Sequence, residues 1–450
     1  MSVSKPHSDA ITPLFDGSES ALSGSAGLGA GCRQAHATET AEKGRPLGTV
    51  TKNYSDQSRR TSQAISGEYI DHETGELVNP KTPTAYRLNR YALKSVVRVL
   101  MFDHRTANCH VLRAPIPGRG LADINVCKGA SNGKAFYQGL MTCGNVWVCP
   151  LCAAKISERR RNELKDALDA AKAKGWNIHF VTLTTPHGVG DDIYELLAKQ
   201  RKALKCMSQG ELSVKGQLAK IVPTATIHGY IRAFEVTHGE NGFHPHYHIL
   251  VFTDRATTTS IVGYVYSHAW RRACRLAGLP QPHETYGCTA QDGTYASEYA
   301  SKWGLEDEMT KSHSKQTRRK GVTPFGLLRC VLDGDDPDYP PARAGKLFQV
   351  YAHAFKGRRQ LHWSVGLRAK LALAKELTDE ELAAKPDDER ALILATLTDE
   401  EWRGIRIRGH EAHILDVAES APQLLPEILK TYGVLGAKEP EPDPHELPSR

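Results

Sequence analysis

The pattern of apolar residues predicts an α+β fold. A central antiparallel sheet is flanked by helices, with a zinc-binding segment before it and a helical C-terminal tail. Three observations carry this expectation. "NIHFVTLTTPH" (177–187) is β-branched and alternating, the mark of a half-buried strand. "TIHGYIRAFEVTH" (226–238) and "FHPHYHILVF" (243–252) alternate on either side of the turn "GENG", which makes them a hairpin. Between and around these strands, apolar residues recur at helical spacing, so helices interleave with the sheet and cover it.

Taken in order, residues 1–85 are rich in Ser, Gly, Ala and Thr and weakly periodic, and are expected to be disordered. Residues 86–175 open with the helical pattern "YRLNRYALKSVVRVLMF" and continue through a cysteine-bearing stretch. They close on "AAKISERRRNELKDALDAAKAKGW", an amphipathic helix ending near Gly175. Residues 176–370 hold the three strands, a helix over 191–209, a helix at "SIVGYVYSHAWRRACRLAGL" and another at "GTYASEYASKWG". Residues 371–450 form an acidic, partly helical tail. In it "LTDEEL" and "LTDEEW" each place Thr ahead of carboxylates, as helix starts do.

Charge divides the chain. Residues 371–450 carry 9 Lys+Arg against 18 Asp+Glu, and residues 1–370 carry 49 against 33. A basic body points to a polyanionic partner, most simply nucleic acid. No apolar run approaches the roughly 20 residues of a membrane span, and the first residues lack a signal-peptide pattern, so a cytoplasmic location is expected. Ten cysteines in such a chain are thiols or metal ligands rather than disulfides.

On a strand, residues two apart share a face, so His246 and His248 point the same way, with Tyr247 opposite. Folding the hairpin about "GENG" brings Glu235 towards them, while His238 and His244 lie nearer the turn. Two imidazoles and a carboxylate suit Mn²⁺ or Mg²⁺, which would polarise a phosphodiester. The plainer alternative is an exposed strand face rich in histidine. In "TYASEYASKW" (294–303), Tyr295 and Tyr299 stand four apart on one helical face, with Lys302 one turn on from Tyr299. A nearby ammonium and a polarised phosphate would ease attack by a phenol whose pKa is ordinarily about 10. Taken alone, that spacing also fits a half-buried aromatic stripe.

Upstream, Cys149 and Cys152 form a Cys-x-x-Cys knuckle, the common zinc half-site, with Cys143 just before it. Cys127 is the expected fourth ligand of a structural Zn²⁺ site, with Cys109 in reserve. Basic clusters at "ERRRNELK", "KSHSKQTRRKG" and "FKGRR" offer Arg318, Arg319, Lys320, Arg358 and Arg359 as DNA contacts. No phosphate-binding Gly-x-x-x-x-Gly-Lys-Ser/Thr loop occurs, so a helicase motor would have to come from elsewhere.

In this order, "FVTLTTPH", "FHPHYHILVF" and "YASEYASKW" resemble the three motifs of the HUH endonucleases that initiate rolling-circle replication of small plasmids and single-stranded DNA phages. The likeness spans roughly 127–368, including "TPFGLL" and "FQVYAHAFKGRRQLHWSVGLR". It implies that 176–370 is a catalytic domain, that His246 and His248 hold the metal, that Tyr299 is the nucleophile and that Lys302 follows it as in the family. It further implies nicking of a double-strand origin, a 5′-phosphotyrosine adduct, strand rejoining at termination, and a host helicase and DNA polymerase as partners. Tyr295 stands where many plasmid members have a glutamate, which points to a two-tyrosine enzyme of the phage type, with Glu298 a displaced carboxylate. A rolling-circle transposase is the nearest alternative. A histidine triad nucleotide hydrolase, a conjugative relaxase and a non-enzymatic zinc-dependent DNA-binding protein are more distant ones.

Overall fold

A computed structural model describes residues 69–70, 77–78, 83–293, 296 and 321–432. Nearly all of the N-terminal segment, most of the expected helix over 293–304, and Tyr295, Tyr299, Lys302, Arg318, Arg319 and Lys320 lie outside the described residues. In chain order the elements are α1 (Pro83–Leu100), β1 (Ile124–Gly129), β2 (Ala135–Gln138), α2 (Pro150–Ala173), β3 (Asn177–Leu183), α3 (Ile193–Ser208), α4 (Val214–Ile221), β4 (Ile227–Gly239), β5 (Gly242–Thr253), α5 (Thr259–Ala277) and β6 (Cys288–Gln291). There follow α6 (Pro324–Asp333), α7 (Pro341–Ala354), β7 (Leu361–Trp363), α8 (Asp379–Ala384), β8 (Ala391–Leu397), α9 (Asp399–Arg408), α10 (Glu411–Ser420) and α11 (Leu425–Thr431).

The central sheet has the order β6-β3-β5-β4-β7, antiparallel throughout. Gly239 pairs with Gly242, so the β4–β5 hairpin turns on Glu240 and Asn241 alone. Gly242 takes φ +82, a conformation only glycine adopts freely, which lets so short a loop close. The expected strands 177–187 and 226–252 thus form the middle of the sheet.

Both faces of this sheet are covered, and strand alternation sorts residues between them. Tyr247, Ile249 and Val251 of β5, Phe234 and Val236 of β4, and Val181 and Leu183 of β3 pack under α3 and α5, against Leu197, Val262 and Trp270. Leu250 and Phe252, Ile231 and Ala233, and Ile178 and Phe180 face the other way. They pack against Leu164, Ala167, Leu168 and Ala171 of α2, and against Trp363. The histidines of β5 share the parity of Leu250 and Phe252 and extend that second face beyond the apolar part.

The tail is more than a run of helices. Thr378 and Thr398 each close a full capping box, with Glu381 and Glu401, which confirms the two helix starts. Between them β8, a strand not foreseen, pairs with β1 to complete a three-stranded sheet of order β8-β1-β2. Trp402 and Ile405 of α9 and Ile414 of α10 form a core on that sheet with Val126 and Tyr137. The tail therefore builds a shared core with the cysteine-bearing region. Trp402→Ala is expected to destabilise the protein by about 3–5 kcal/mol, the cost of emptying a fully buried aromatic site. Urea unfolding would read this directly, and an unchanged midpoint would mean the tail is a loose appendage.

Candidate metal centre and its face of the sheet

Glu235 and His246 are direct partners in the β4–β5 register, and His248 lies one pleat further along β5, between Ala233 of β4 and Thr182 of β3. The Glu235 Oε2 atom is 3.5 Å from His246 Nε2 and 3.4 Å from His248 Nε2. The three ligand-type atoms lie within 4.8 Å of one another.

The second shell orients both rings. His246 Nδ1–H donates to the backbone carbonyl of His244 at 3.1 Å, which leaves the Nε2 lone pair aimed at the carboxylate. His248 Nδ1 is 3.0 Å from the Thr182 hydroxyl, and its ring stacks on Phe180 at 5.1 Å. Burial alone would raise the Glu235 carboxyl, but N–H donation and positive charge from the protonated forms of the two imidazoles outweigh it and hold the group well below the usual carboxylate range, so the carboxylate sits where positive charge is favoured. Lone pairs converging on a carboxylate oxygen repel unless a cation lies among them, so the donor set fits a divalent ion.

The neighbouring histidines are committed elsewhere. His244 faces His187, with 2.6 Å between Nδ1 and Nε2, and His187 Nδ1–H donates to the Asn241 carbonyl at 2.8 Å. Burial, with the surrounding imidazoles, lowers His244 to about 4 and keeps it neutral at pH 7. His238 meets the Tyr339 hydroxyl at 3.1 Å. From the tyrosine segment, Ala296 is fully buried in the core on the histidine side of the sheet, and its N–H donates to the Asp292 carbonyl at 3.4 Å.

The second cluster corrects one expected ligand. Cys143, Cys149 and Cys152 come together with Cys109, not Cys127, and all four are buried. Cys127 sits within β1, where pairing with Phe136 fixes it and its thiol meets Gln138 Oε1 at 3.5 Å. Cys109 instead ends a short 3-10 turn (Arg105–Asn108), where the chain can bend towards the knuckle. The Sγ separations of 3.5 Å (Cys109–Cys152), 3.7 Å (Cys143–Cys152) and 3.7 Å (Cys109–Cys149) are far too long for disulfides. They approach the roughly 3.8 Å edge of a tetrahedron with metal–sulfur bonds of about 2.3 Å. Hydrogen bonding among the four thiols pulls Cys143 below the usual thiol range. The tetrad fits a structural Zn²⁺ with no open position. Cys149 caps α2 and Cys152 lies in its first turn, so the cluster anchors the helix whose far half covers the sheet below the histidines.

The remaining candidates separate by environment. Arg358 is half-buried and its Nε donates to the Ala354 carbonyl at 2.9 Å, closing the end of α7, whereas Arg359 is exposed. The arginines of "ERRR" are largely consumed by the tail. Arg160 is buried and pairs with Glu163, Glu376 and Asp379, and Arg159 pairs with Asp387 and donates to the carbonyls of Leu382, Lys385 and Pro386. Sequence reasoning ranked Cys109 below Cys127 and did not single out Thr182. The first error came from judging by chain distance. The second residue lies in "FVTLTTPH", where only strand register shows it beside His248.

Purified protein is expected to carry one zinc per chain at the tetrad. Cys109→Ser should lose most of it and Cys127→Ser none, as read by metal analysis after gel filtration. Equal zinc content in both variants would refute the tetrad.

Comparison with known proteins now adds a family. Residues 136–392, more than half of the chain, match the family model described as "Replication protein". The chain is 26% identical over 353 residues to "Protein rep" of Streptomyces lividans, a match covering 64% of this chain and 77% of that protein. It is 29% identical over 145 residues to "Neomycin resistance protein" of Streptomyces cyanogenus, covering 28% of this chain and 33% of that one. No solved structure matches. Among the described residues, no helix is long and apolar enough to cross a membrane. With a family match that spans the central sheet, Glu235, His246 and His248, and three of the four clustered cysteines, this chain belongs to the replication protein family.

Proposed function

We propose that this protein initiates plasmid rolling-circle replication by cutting one strand of origin DNA with a tyrosine, and later rejoins the strand. The observation that carries this reading is the convergence of Glu235, His246 and His248 on the sheet face where Ala296 of "TYASEYASKW" is buried. Tyr299 follows Ala296 by three residues in the sequence, and the reading assigns it the attack on the phosphodiester.

Glu235, His246 and His248 would hold Mg²⁺ or Mn²⁺, which when bound supplies Lewis-acid polarisation of a phosphate oxygen. The Tyr299 oxygen attacks phosphorus, the bond to the 3′ oxygen breaks, and that oxygen takes a proton to leave a free 3′-OH. The 5′ phosphate remains on tyrosine as an ester, so the energy of the broken phosphodiester is kept for rejoining. Lys302 favours the phenolate. Tyr295 supplies a second acceptor for termination. Thr182 and the His244 carbonyl orient the two imidazoles, and α2, fastened by the cysteine tetrad, keeps water from the apolar part of the face. The 3′-OH then primes a host polymerase, with a host helicase opening the duplex.

The test is incubation with Mn²⁺ and a supercoiled plasmid carrying the protein's own origin. Wild type should yield nicked circles with protein attached to the 5′ end, and Tyr299→Phe should abolish the adduct. Thr182→Val, which leaves the three ligands intact, should lower metal affinity or nicking about 10–100-fold through loss of ring orientation. Origin binding without an adduct under any divalent metal would replace this reading with that of a non-enzymatic DNA-binding protein.

A further inference from the structure

The side of the sheet away from the histidines carries a second chemically distinct feature. Helix α5 buries Val262, Val265, Ala269, Trp270 and Ala273. Its opposite stripe runs Tyr264, Ser267, His268, Arg271, Arg272, Arg275, at helical spacing. These residues and Gln281 line a cleft of about 320 Å³. The stripe extends over twelve residues, Tyr264 to Arg275, a rise of about 16 Å, long enough to follow several phosphates of one strand.

The charge there is unbalanced. Helix α5 has three arginines and no acidic residue, α4 has two lysines and no acidic residue, and α3 has four basic residues against Glu195. Arg271 is paired with Glu284 at 3.0 Å, but among the described residues neither Arg272 nor Arg275 has an ion-pair partner. The tail, which neutralises Arg159 and Arg160 on the other side of the sheet, makes no ion pair with this layer among the described residues. A charge cluster left unpaired beside a cleft, while another of equal density is neutralised internally, marks a site for an external polyanion.

We propose that this cleft binds the phosphate backbone of duplex DNA, at a segment distinct from the strand cut on the histidine face. The choice of DNA as the polyanion rests on the proposed function. Its place in the fold selects duplex over the extruded strand. The two sites lie on opposite faces of the sheet, with a helical layer of roughly 10–12 Å between the sheet and the cleft, so a scissile nucleotide cannot occupy both, and the origin flanking the extruded strand is duplex. The cleft would thus hold the flank of the origin while the extruded strand reaches the tyrosine.

Because phosphate contacts are independent of sequence, the test uses the full chain with a random-sequence duplex and a single strand of equal length. Binding is followed by fluorescence anisotropy across a salt series. Replacing Arg272→Ala and Arg275→Ala together should weaken duplex binding about tenfold or more, and should reduce the slope of log K against log salt by about 2, near 0.9 per lost phosphate contact. Single-strand binding and Mn²⁺ binding should not change, and the latter shows that the fold and the other face are intact. The paired Arg272→Lys and Arg275→Lys variant should keep most of the slope. An unchanged duplex slope in the alanine variant overturns the proposal, as does an equal loss on single strands. A protein that shows the predicted slope change and yet never nicks would overturn the nicking reaction alone and leave this site standing.

Discussion

The register of the β4–β5 hairpin is the constraint on which the site depends. Side chains alternate across a strand, so a slip of one residue would carry His246 and His248 into the core beneath α5 and bring Tyr247 and Ile249 to the other face. Burial on both faces prevents that slip. Tyr247, Ile249 and Val251 require one side of the sheet, and Leu250 and Phe252 require the other. The two-residue turn between Gly239 and Gly242 fixes the pairing from the end. Glu235 meets His246 because apolar residues several positions away have nowhere else to go.

Around this sheet, two fastenings set where helices and tail lie. The cysteine tetrad joins a 3-10 turn, a loop and the first turn of α2, and α2 then runs across the face that ends in the histidines. The acidic tail holds the same helix from outside, through Arg159 and Arg160, and passes close to the tetrad. Gly144 stands against Glu380, where any larger side chain would collide with backbone. Buried ion pairs of this kind add little net stability, but breaking one leaves an uncompensated charge, so they define position more than they strengthen the fold.

Much of this was legible from residues alone. The three inner strands of the central sheet, the helices α2, α3 and α5 that cover them and the grouping of Glu235 with His246 and His248 follow from alternation, helical spacing and a turn, which are local signals, whereas the short edge strands β6 and β7 were not foreseen. The threonine-capped helices of the tail were equally local. What escaped was set by tertiary pairing. Strand β8 has no clean alternation, with Leu392 and Ile393 both exposed, and becomes a strand because β1 offers it an edge. Cys109 outcompetes Cys127 because strand pairing holds Cys127 away from the knuckle. The "ERRR" cluster looked like a nucleic-acid contact, and only the folded tail shows two of its arginines already neutralised.

The most direct measurement of the central claim is the count of Mn²⁺ ions bound per chain, by electron paramagnetic resonance, in wild type and in Glu235→Ala, His246→Ala and His248→Ala variants. If the hairpin register builds one centre from three side chains, wild type binds one ion and each variant loses it while keeping its zinc. Mn²⁺ binding that survives in all three variants would contradict the account, since the converging side chains would then not be the site.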